Sequence, residues 1–242
     1  MDWHARYTQQ ANWTRDLRAY LFERAGMKTA RRVLEVGCGT GALLQDLSTS
    51  AALHGLDLEP AALAQCGIHA PGVSRVRADA LRLPYPAAAF DIVFCHFLLL
   101  WVRDPLQALR EMKRVARPGG HILALAEPDY TARVDKPPAL APLGRRQAES
   151  LRRQGADAGF GARLAGTFFQ AGIPLVETGV IQSAKEASTP GERELEWAAL
   201  ESDLAESGPG VDLQKMKRLD EQAWASGERV LEVPTYFAWG RA

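Results

Sequence analysis

The sequence predicts an α/β fold, a mostly parallel sheet with helices on both faces, and three observations carry that expectation. Val33 to Leu44, V-L-E-V-G-C-G-T-G-A-L-L, reads as a buried strand, a tight glycine turn and the start of a helix. Ile92 to His96 is a continuous apolar run of the kind a central parallel strand needs, because such a strand is covered on both faces. Helix-period residues from Leu106 to Ala116 pass through Arg117-Pro118-Gly119-Gly120 into a further apolar strand, His121 to Ala126.

Composition bounds the rest. The 242 residues, 47% of them hydrophobic, suffice for the core of one domain with length left for an insertion. Lys plus Arg and Asp plus Glu both total 29, so no overall field draws the chain to nucleic acid or to an anionic membrane. Met1-Asp2-Trp3-His4 lacks the basic and apolar regions of a leader, and the longest apolar run, Ile92 to Val102, is broken by His96 and is too short to span a bilayer. The expectation is a soluble, cytoplasmic protein with neither nucleic acid nor membrane as partner. Cys38, Cys66 and Cys95 are an odd number without metal-ligand spacing and read as reduced thiols packed as small apolar residues.

Taken in order, Trp13, Leu17, Tyr20, Leu21 and Arg24 fall at helical spacing before Gly26, so an amphipathic helix precedes the first strand. After the glycine turn a helix is expected over Ala42 to Leu47. Leu53 to Leu58 form a second strand with Asp57 at its end, and Glu59-Pro60 opens the next helix, where the missing proline N–H costs nothing. Val73 to Ala78 is the third strand and Asp79-Ala80-Leu81 follows it. Asp104-Pro105 supplies the N-cap and first turn of the helix Leu106 to Ala116, whose Leu109, Met112 and Val115 share a face. Glu127-Pro128-Asp129-Tyr130 then opens a connection beyond a strand's carboxyl end, where open α/β sheets bind ligands. Pro138 to Gly155 carries Arg145, Arg146, Arg152 and Arg153 on a solvated helix face. Leu164, Phe168 and Phe169 mark another helix, ended by Gly172 before a strand from Pro174 to Gln182.

Pro190 to Ser207 and Val211 to Ser226 read as two helices separated by Gly208-Pro209-Gly210. The chain is thus expected to be one domain: a helical cap over 1–30, a ligand-binding core over 31–184, a helical insertion over 185–228 and a final strand over 229–242. The insertion is either a lid or a packing element over a sheet edge or dimer contact. Within the last strand, Arg229 to Trp239, Pro234 cannot donate to a ladder and predicts a bulge.

The strand ends carry the chemistry. Gly37, Gly39 and Gly41, alternating with Cys38 and Thr40, remove the Cβ atoms that would hold a ligand off the backbone. Asp57, twenty residues past Gly37, is placed to accept both hydroxyls of a ribose. Gly37, Gly39 and Ala42 also satisfy the G-x-G-x-x-A dinucleotide pattern, so an NAD(P)-dependent oxidoreductase is the competing reading, although no Ser, Tyr and Lys set stands at a spacing usable for hydride transfer.

On these residues the chain resembles the class I S-adenosylmethionine-dependent methyltransferases, and more narrowly their small-molecule branch that includes the ubiquinone and menaquinone biosynthesis-type enzymes. The resemblance implies a Rossmann-like, seven-stranded sheet whose last strand runs antiparallel between the fifth and sixth. It implies S-adenosyl-L-methionine as cofactor and S-adenosyl-L-homocysteine as product, lying across the ends of the first strands. By the same resemblance Glu35 organises the cofactor's ammonium, Asp57 and Leu58 meet the ribose, and Asp79 takes the adenine amine. Ala80 or Leu81 meets the ring nitrogen, and Cys95 and His96 close the fourth strand beside the cofactor. From the leading segment, Tyr7 stands near the sulfonium and Arg15 on the methionine carboxylate. The R-P-G-G turn, Asp79 and the C-terminal strand favour this family over the oxidoreductase; a non-catalytic partner subunit of the same fold is the third reading.

The chemistry so implied is in-line displacement at a sulfonium methyl by a small-molecule acceptor. His96 is the first candidate for a base because imidazole titrates near neutrality, with Glu127, Asp129 and Tyr130 as alternatives. Glu127 and Asp129 lack a third ligand, so no metal is expected. Tyr130, Trp197, Trp224 and Tyr236 are the aromatic candidates for a flat or apolar acceptor, and the expected assembly is a monomer or homodimer.

Overall fold

β1 (Arg32–Val36) is the strand from which the sheet grows, flanked in parallel by β2 (Ala52–Asp57) and β4 (Phe90–Cys95). β3 (Ser74–Arg77) adds beyond β2, and β5 (Ala116–Pro128) beyond β4, both parallel. β9 (Thr235–Arg241) then inserts antiparallel between β5 and β7 (Leu175–Ile181), giving a seven-stranded sheet in the order β3-β2-β1-β4-β5-β9-β7. This is the computed structural model of the chain, and it describes residues 1–181, 189–205 and 212–242.

Alternation along the central strands explains why helices cover both faces. Leu34, Val36, Val93, Cys95, Ile122 and Ala124 are buried on one face with α4 (Pro105–Val115) and α6 (Leu164–Gln170), through Leu109, Met112 and Phe168. Val33, Ile92, Phe94, Leu123 and Leu125 are buried on the other with α2 (Arg15–Arg24) and α3 (Pro60–His69), through Leu21, Phe22, Leu63 and Cys66. A third cluster, Leu140, Leu143, Trp197, Leu200, Leu204 and Ala223, joins α5 (Ala141–Arg153) to α7 (Pro190–Leu204) and α8 (Leu213–Ala225).

A buried polar chain ties α7 and α8 to the rest. Trp197 Nε1 donates to Asp220 Oδ2 at 2.8 Å, and Arg229 bridges Asp220 to Asp135, its Nη2 standing 2.8 Å from Asp135 Oδ1. Arg133 meets the same Asp135 through two N–H groups at 2.8 and 2.9 Å and also donates to Gln147, whose amide donates to Asp203 Oδ2 at 2.7 Å. Buried charges of this kind persist only when paired and fully hydrogen-bonded.

The structure corrects three sequence expectations. The helix over Ala42 to Leu47 is a single 3-10 turn, Leu44–Asp46. Only ten residues separate Gly41 from Ala52, and Thr49, bonded to Met27 O and Ala51 N at 3.2 Å each, turns the chain back into β2. The leading helix is two helices, α1 (Trp3–Trp13) and α2, which meet at Thr14. The last strand splits: β8 (Val230–Glu232) pairs antiparallel with β6 (Val134–Lys136) in a separate ladder, and only β9 joins the main sheet. Pro234 is thus the crossing point between sheets and not a bulge; its carbonyl accepts Asp129 N at 2.8 Å, and the register irregularity falls in β5 between Ala124 and Glu127. Gln182, Ser207, Gly208-Pro209-Gly210 and Val211 lie outside the described residues. No described helix is long and apolar enough to cross a membrane.

Candidate functional site

A cavity of about 660 Å³ opens at the carboxyl ends of β1 to β4. Glu35, Gly37, Cys38 and Gly39 line it from β1 and its turn, Asp57 and Leu58 from β2, Asp79, Ala80 and Leu81 from the segment after β3, and His96 from the end of β4. Trp3, Arg6, Tyr7 and Gln10 of α1 also line it, as do Tyr130, Leu151, Gln154, Ala199 and Asp203.

The turn after β1 takes a shape that only glycine holds without strain. Gly37 has φ +76°, and a Cβ built there would stand 2.6 Å from Leu98 Cδ1. At Gly39, φ is +49° and a Cβ would stand 3.2 Å from the Tyr7 ring, so α1 closes directly onto bare backbone. Asp57 fixes this shape: its Oδ2 accepts Gly39 N at 2.8 Å and its Oδ1 accepts Glu59 N at 2.9 Å. Because the expected helix is one short turn, the N–H groups presented here belong to the turn and not to a helix start.

Glu35 is the chemically unfinished group. It is 2% exposed, and its Oε2 has no hydrogen-bond partner. Burial pushes its carboxyl well above the ordinary range; Cys66 and Asp57 add to the rise and Arg18 opposes it. A buried carboxylate left unpaired is costly, so the site fits a ligand that brings a cation or donor to it.

The segment after β4 is held from behind. Phe97 has φ +52°, a conformation a bulky residue adopts only under constraint. The constraint is Glu127, fully buried at the end of β5: Oε1 accepts Leu98 N at 3.1 Å and Leu99 N at 2.9 Å, and Oε2 accepts Leu100 N at 3.1 Å. Burial still raises its carboxyl to about 7 against the pull of those three N–H groups. Glu127 does not line the cavity; it positions Leu98, which does.

Several other candidates are placed differently from expectation. Arg15 is exposed, bonded to Asn12, and outside the cavity; Arg6 of α1 lines it instead. The break at Thr14 changes which side of the leading segment faces inward. His96 is in the wall, but its Nε2 is bonded to Thr14 Oγ1 at 3.0 Å, and burial with nearby Arg18 lowers its pKa to about 3, so it is neutral near pH 7 and a weak base. Cys95 is fully buried in the core, Gly41 packs against Cys66, and Thr40 is bonded to His4 Nδ1 at 2.9 Å; none of the three lines the cavity. Asp129 turns Oδ1 onto Thr131 N and Ala132 N. Leu81 N is bonded to Asp79 Oδ1 at 2.9 Å, which leaves Ala80 as the backbone candidate for a ring nitrogen. Of the four proposed aromatics only Tyr130 reaches the cavity; Trp197 is core, and Trp224 and Tyr236 stand elsewhere, while the half-exposed Trp3 and Trp101 line it unpredicted.

The residues missed on α1, Trp3, Arg6 and Gln10, had a signal, since with the expected Tyr7 they recur at three- and four-residue spacing and share one helix face. Asp203 had none, because its place depends on how α7 lies across the fold.

Residues 34–124, from β1 into β5, match a family described as a methyltransferase domain. The chain is similar to a malonyl-[acyl-carrier protein] O-methyltransferase of Halorhodospira halophila, 37% identical over 126 residues that cover 49% of this chain and 43% of that protein. It is also similar to a demethylmenaquinone methyltransferase of Deinococcus radiodurans, 38% identical over 105 residues, 40% of this chain and 44% of that protein. The chain thus matches less than half the length of these curated relatives. Among solved structures it is similar to the [4+2]-cyclase SpnF, with a TM-score of 0.61, 23% identity, and coverage of 93% of this chain and 79% of that one, a likeness that shows the fold alone. The family match separates the two readings that the glycine turn leaves open. By that match residues 34–124 are similar to a methyltransferase domain, and the strand order β3-β2-β1-β4-β5-β9-β7 carries the same mixed seven-stranded sheet through to β9.

Proposed function

We propose that the chain transfers a methyl group from S-adenosylmethionine to a small-molecule acceptor held in the same cavity. The observation that carries this reading is Glu35, whose buried and unpartnered carboxylate oxygen stands beside glycines that leave the backbone bare. Glu35 suits the ammonium of the cofactor, Asp57 with Leu58 the ribose hydroxyls, and Asp79 with Ala80 the adenine edge, all of them lining the one cavity. When bound, the cofactor supplies a methyl on a positively charged sulfur, a leaving group that needs no further activation.

The chain's own residues then bind, align and keep water out. Tyr7 closes on Gly39 and Leu98 on Gly37, which confines the donor end. His96 and Tyr130 orient by hydrogen bonding: the imidazole is neutral, and burial pushes the Tyr130 phenol up to about 12, so it keeps its proton and donates. The inserted helices supply Ala199 and Asp203 to the cavity from α7, which supports a role for the insertion in shaping the acceptor half. Balanced charge and three free, buried thiols support a cytoplasmic enzyme, monomeric or homodimeric, without a nucleic-acid or membrane partner.

Calorimetric titration with S-adenosylhomocysteine and, in parallel, NAD tests the reading, with Asp57→Ala as control. Homocysteine-adduct binding that the variant loses is the expected result; NAD binding in its place, or binding of neither, overturns it.

A further inference from the structure

We infer that Asp203, on α7, recognises the methyl acceptor, and that the acceptor presents a proton-bearing nitrogen or oxygen and not a carboxylate. The inference rests on the cavity being the transfer site. Asp203 and Ala199 stand one helical turn apart in the cavity wall, together with Tyr130, Leu151 and Gln154. The carboxylate is held in place: Oδ2 accepts the Gln147 amide at 2.7 Å, Gln147 is itself gripped by Arg133, and the Asp203 carbonyl accepts Ser150 Oγ and, at 3.2 Å, Gln154 Nε2.

The two guanidinium groups whose charge acts on Asp203 already have carboxylates of their own: Arg6 pairs with Glu196 at 3.0 Å and Arg133 with Asp135 at 2.8 Å. Among the described residues Asp203 has no ion-pair partner. Burial raises its carboxyl above the ordinary aspartate range, and Asp203 is one of the groups that raise the Tyr130 phenol. With the Gln154 amide N–H groups engaged by Ser150 Oγ and the Asp203 carbonyl and Arg6 paired with Glu196, this part of the lining offers Asp203 as a proton acceptor and Tyr130 as a proton donor, next to apolar Leu151 and Ala199. An amine or hydroxyl satisfies both groups; an anionic carboxylate meets like charge at Asp203.

The test titrates the S-adenosylhomocysteine complex with benzylamine and with benzoate, ring-matched probes of opposite charge, by calorimetry in the wild type and in Asp203→Asn. Benzylamine is expected to bind roughly tenfold tighter than benzoate or better, and Asp203→Asn to remove most of that preference. Equal affinities, a preference for benzoate, binding of neither probe, or a preference that Asp203→Asn leaves intact overturns the assignment. If the variant does not fold, the wild-type comparison decides. A failure of the homocysteine adduct to bind counts against the proposed function alone, and the same two probes on the unliganded protein still answer for Asp203.

Discussion

The Asp57 carboxylate accepts the Gly39 backbone N–H at 2.8 Å, so the end of β2 fixes the turn that leaves β1. The group assigned to the ribose hydroxyls also shapes the backbone beneath the ligand. Recognition and loop geometry therefore pass through one side chain. Asp57→Ala removes the acceptor for Gly39 N and Glu59 N together with the ribose contacts, and is expected to weaken S-adenosylhomocysteine by about 3 kcal/mol, roughly a hundredfold. Titration calorimetry reads the change, and an affinity within twofold of the wild type would remove Asp57 from the site.

Gly37→Ala forces a Cβ to within 2.6 Å of Leu98 at a φ of +76°. The backbone cost alone is about 1–3 kcal/mol. Adding Leu98→Ala relieves the collision but not the dihedral, so the double variant is expected to recover only part of the lost thermal midpoint. Full recovery would show that the positive φ is not under strain.

Glu35 gives a proton-linked prediction. Its carboxyl is raised by burial, then by Cys66 and Asp57, so it holds its proton above the ordinary carboxyl range in the free protein. An ammonium ligand favours the ionised form. Binding of S-adenosylhomocysteine is therefore expected to release a proton, and affinity to rise with pH until the raised pKa is passed. For folding the sign is opposite: the stabilisation by the bound proton is present below the unfolded carboxyl pKa and is lost as pH climbs through the raised folded value. Calorimetry in two buffers of different ionisation enthalpy counts the proton, and Glu35→Gln is expected to abolish the difference. A buffer-independent enthalpy in the wild type contradicts the assignment.

Glu127 titrates in a window that can be named, from the ordinary carboxyl value of 4.5 in the unfolded chain to about 7 in the folded one. The folded state binds this proton more tightly, so roughly 3 kcal/mol of stabilisation present below pH 4.5 fades as pH rises to about 7. Glu127→Gln lacks that titration, and its amide nitrogen leaves one of the N–H groups of Leu98, Leu99 or Leu100 without an acceptor, at a cost of about 1–3 kcal/mol. Urea unfolding at pH 5 and pH 8 distinguishes the two proteins; an equal pH difference in both assigns the titration to another group.

Arg229→Met withdraws the cation that joins Asp135 to Asp220; Asp135 keeps Arg133, while the buried Asp220 carboxylate loses its ion-pair partner among the described residues. Breaking one partner of such a pair costs about 3–5 kcal/mol, which lowers the melting temperature by roughly 10 °C in a chain of this size. A shift below about 2 °C would show that water reaches the network.

The strands were legible because their signal is local: apolar runs that end in Gly37, Asp57 or His96 need no knowledge of distant chain. The cavity lining at the ends of β1 to β4 followed, since it consists of those strand ends. α1 was less legible because its buried residues are Arg6, Gln9 and Ala11, which make no apolar stripe. Arg15 was misplaced for a related reason, as spacing does not fix the rotation of a helix that restarts at Thr14. The ladder between β6 and β8 joins two three-residue strands far apart in sequence, too short for any periodicity to register.

β9 sits inside the sheet, between two strands that are synthesised before it. Until residues 235–241 emerge from the ribosome, β5 has a free edge and β7 has no ladder partner at all. The nascent protein thus completes its ligand-binding wall early and carries two exposed strand edges until late in translation, an interval in which pairing with another chain competes with closure. Synthesis rate over α7 and α8, which postpones the arrival of β9, accordingly bears on yield of folded protein rather than on the finished molecule.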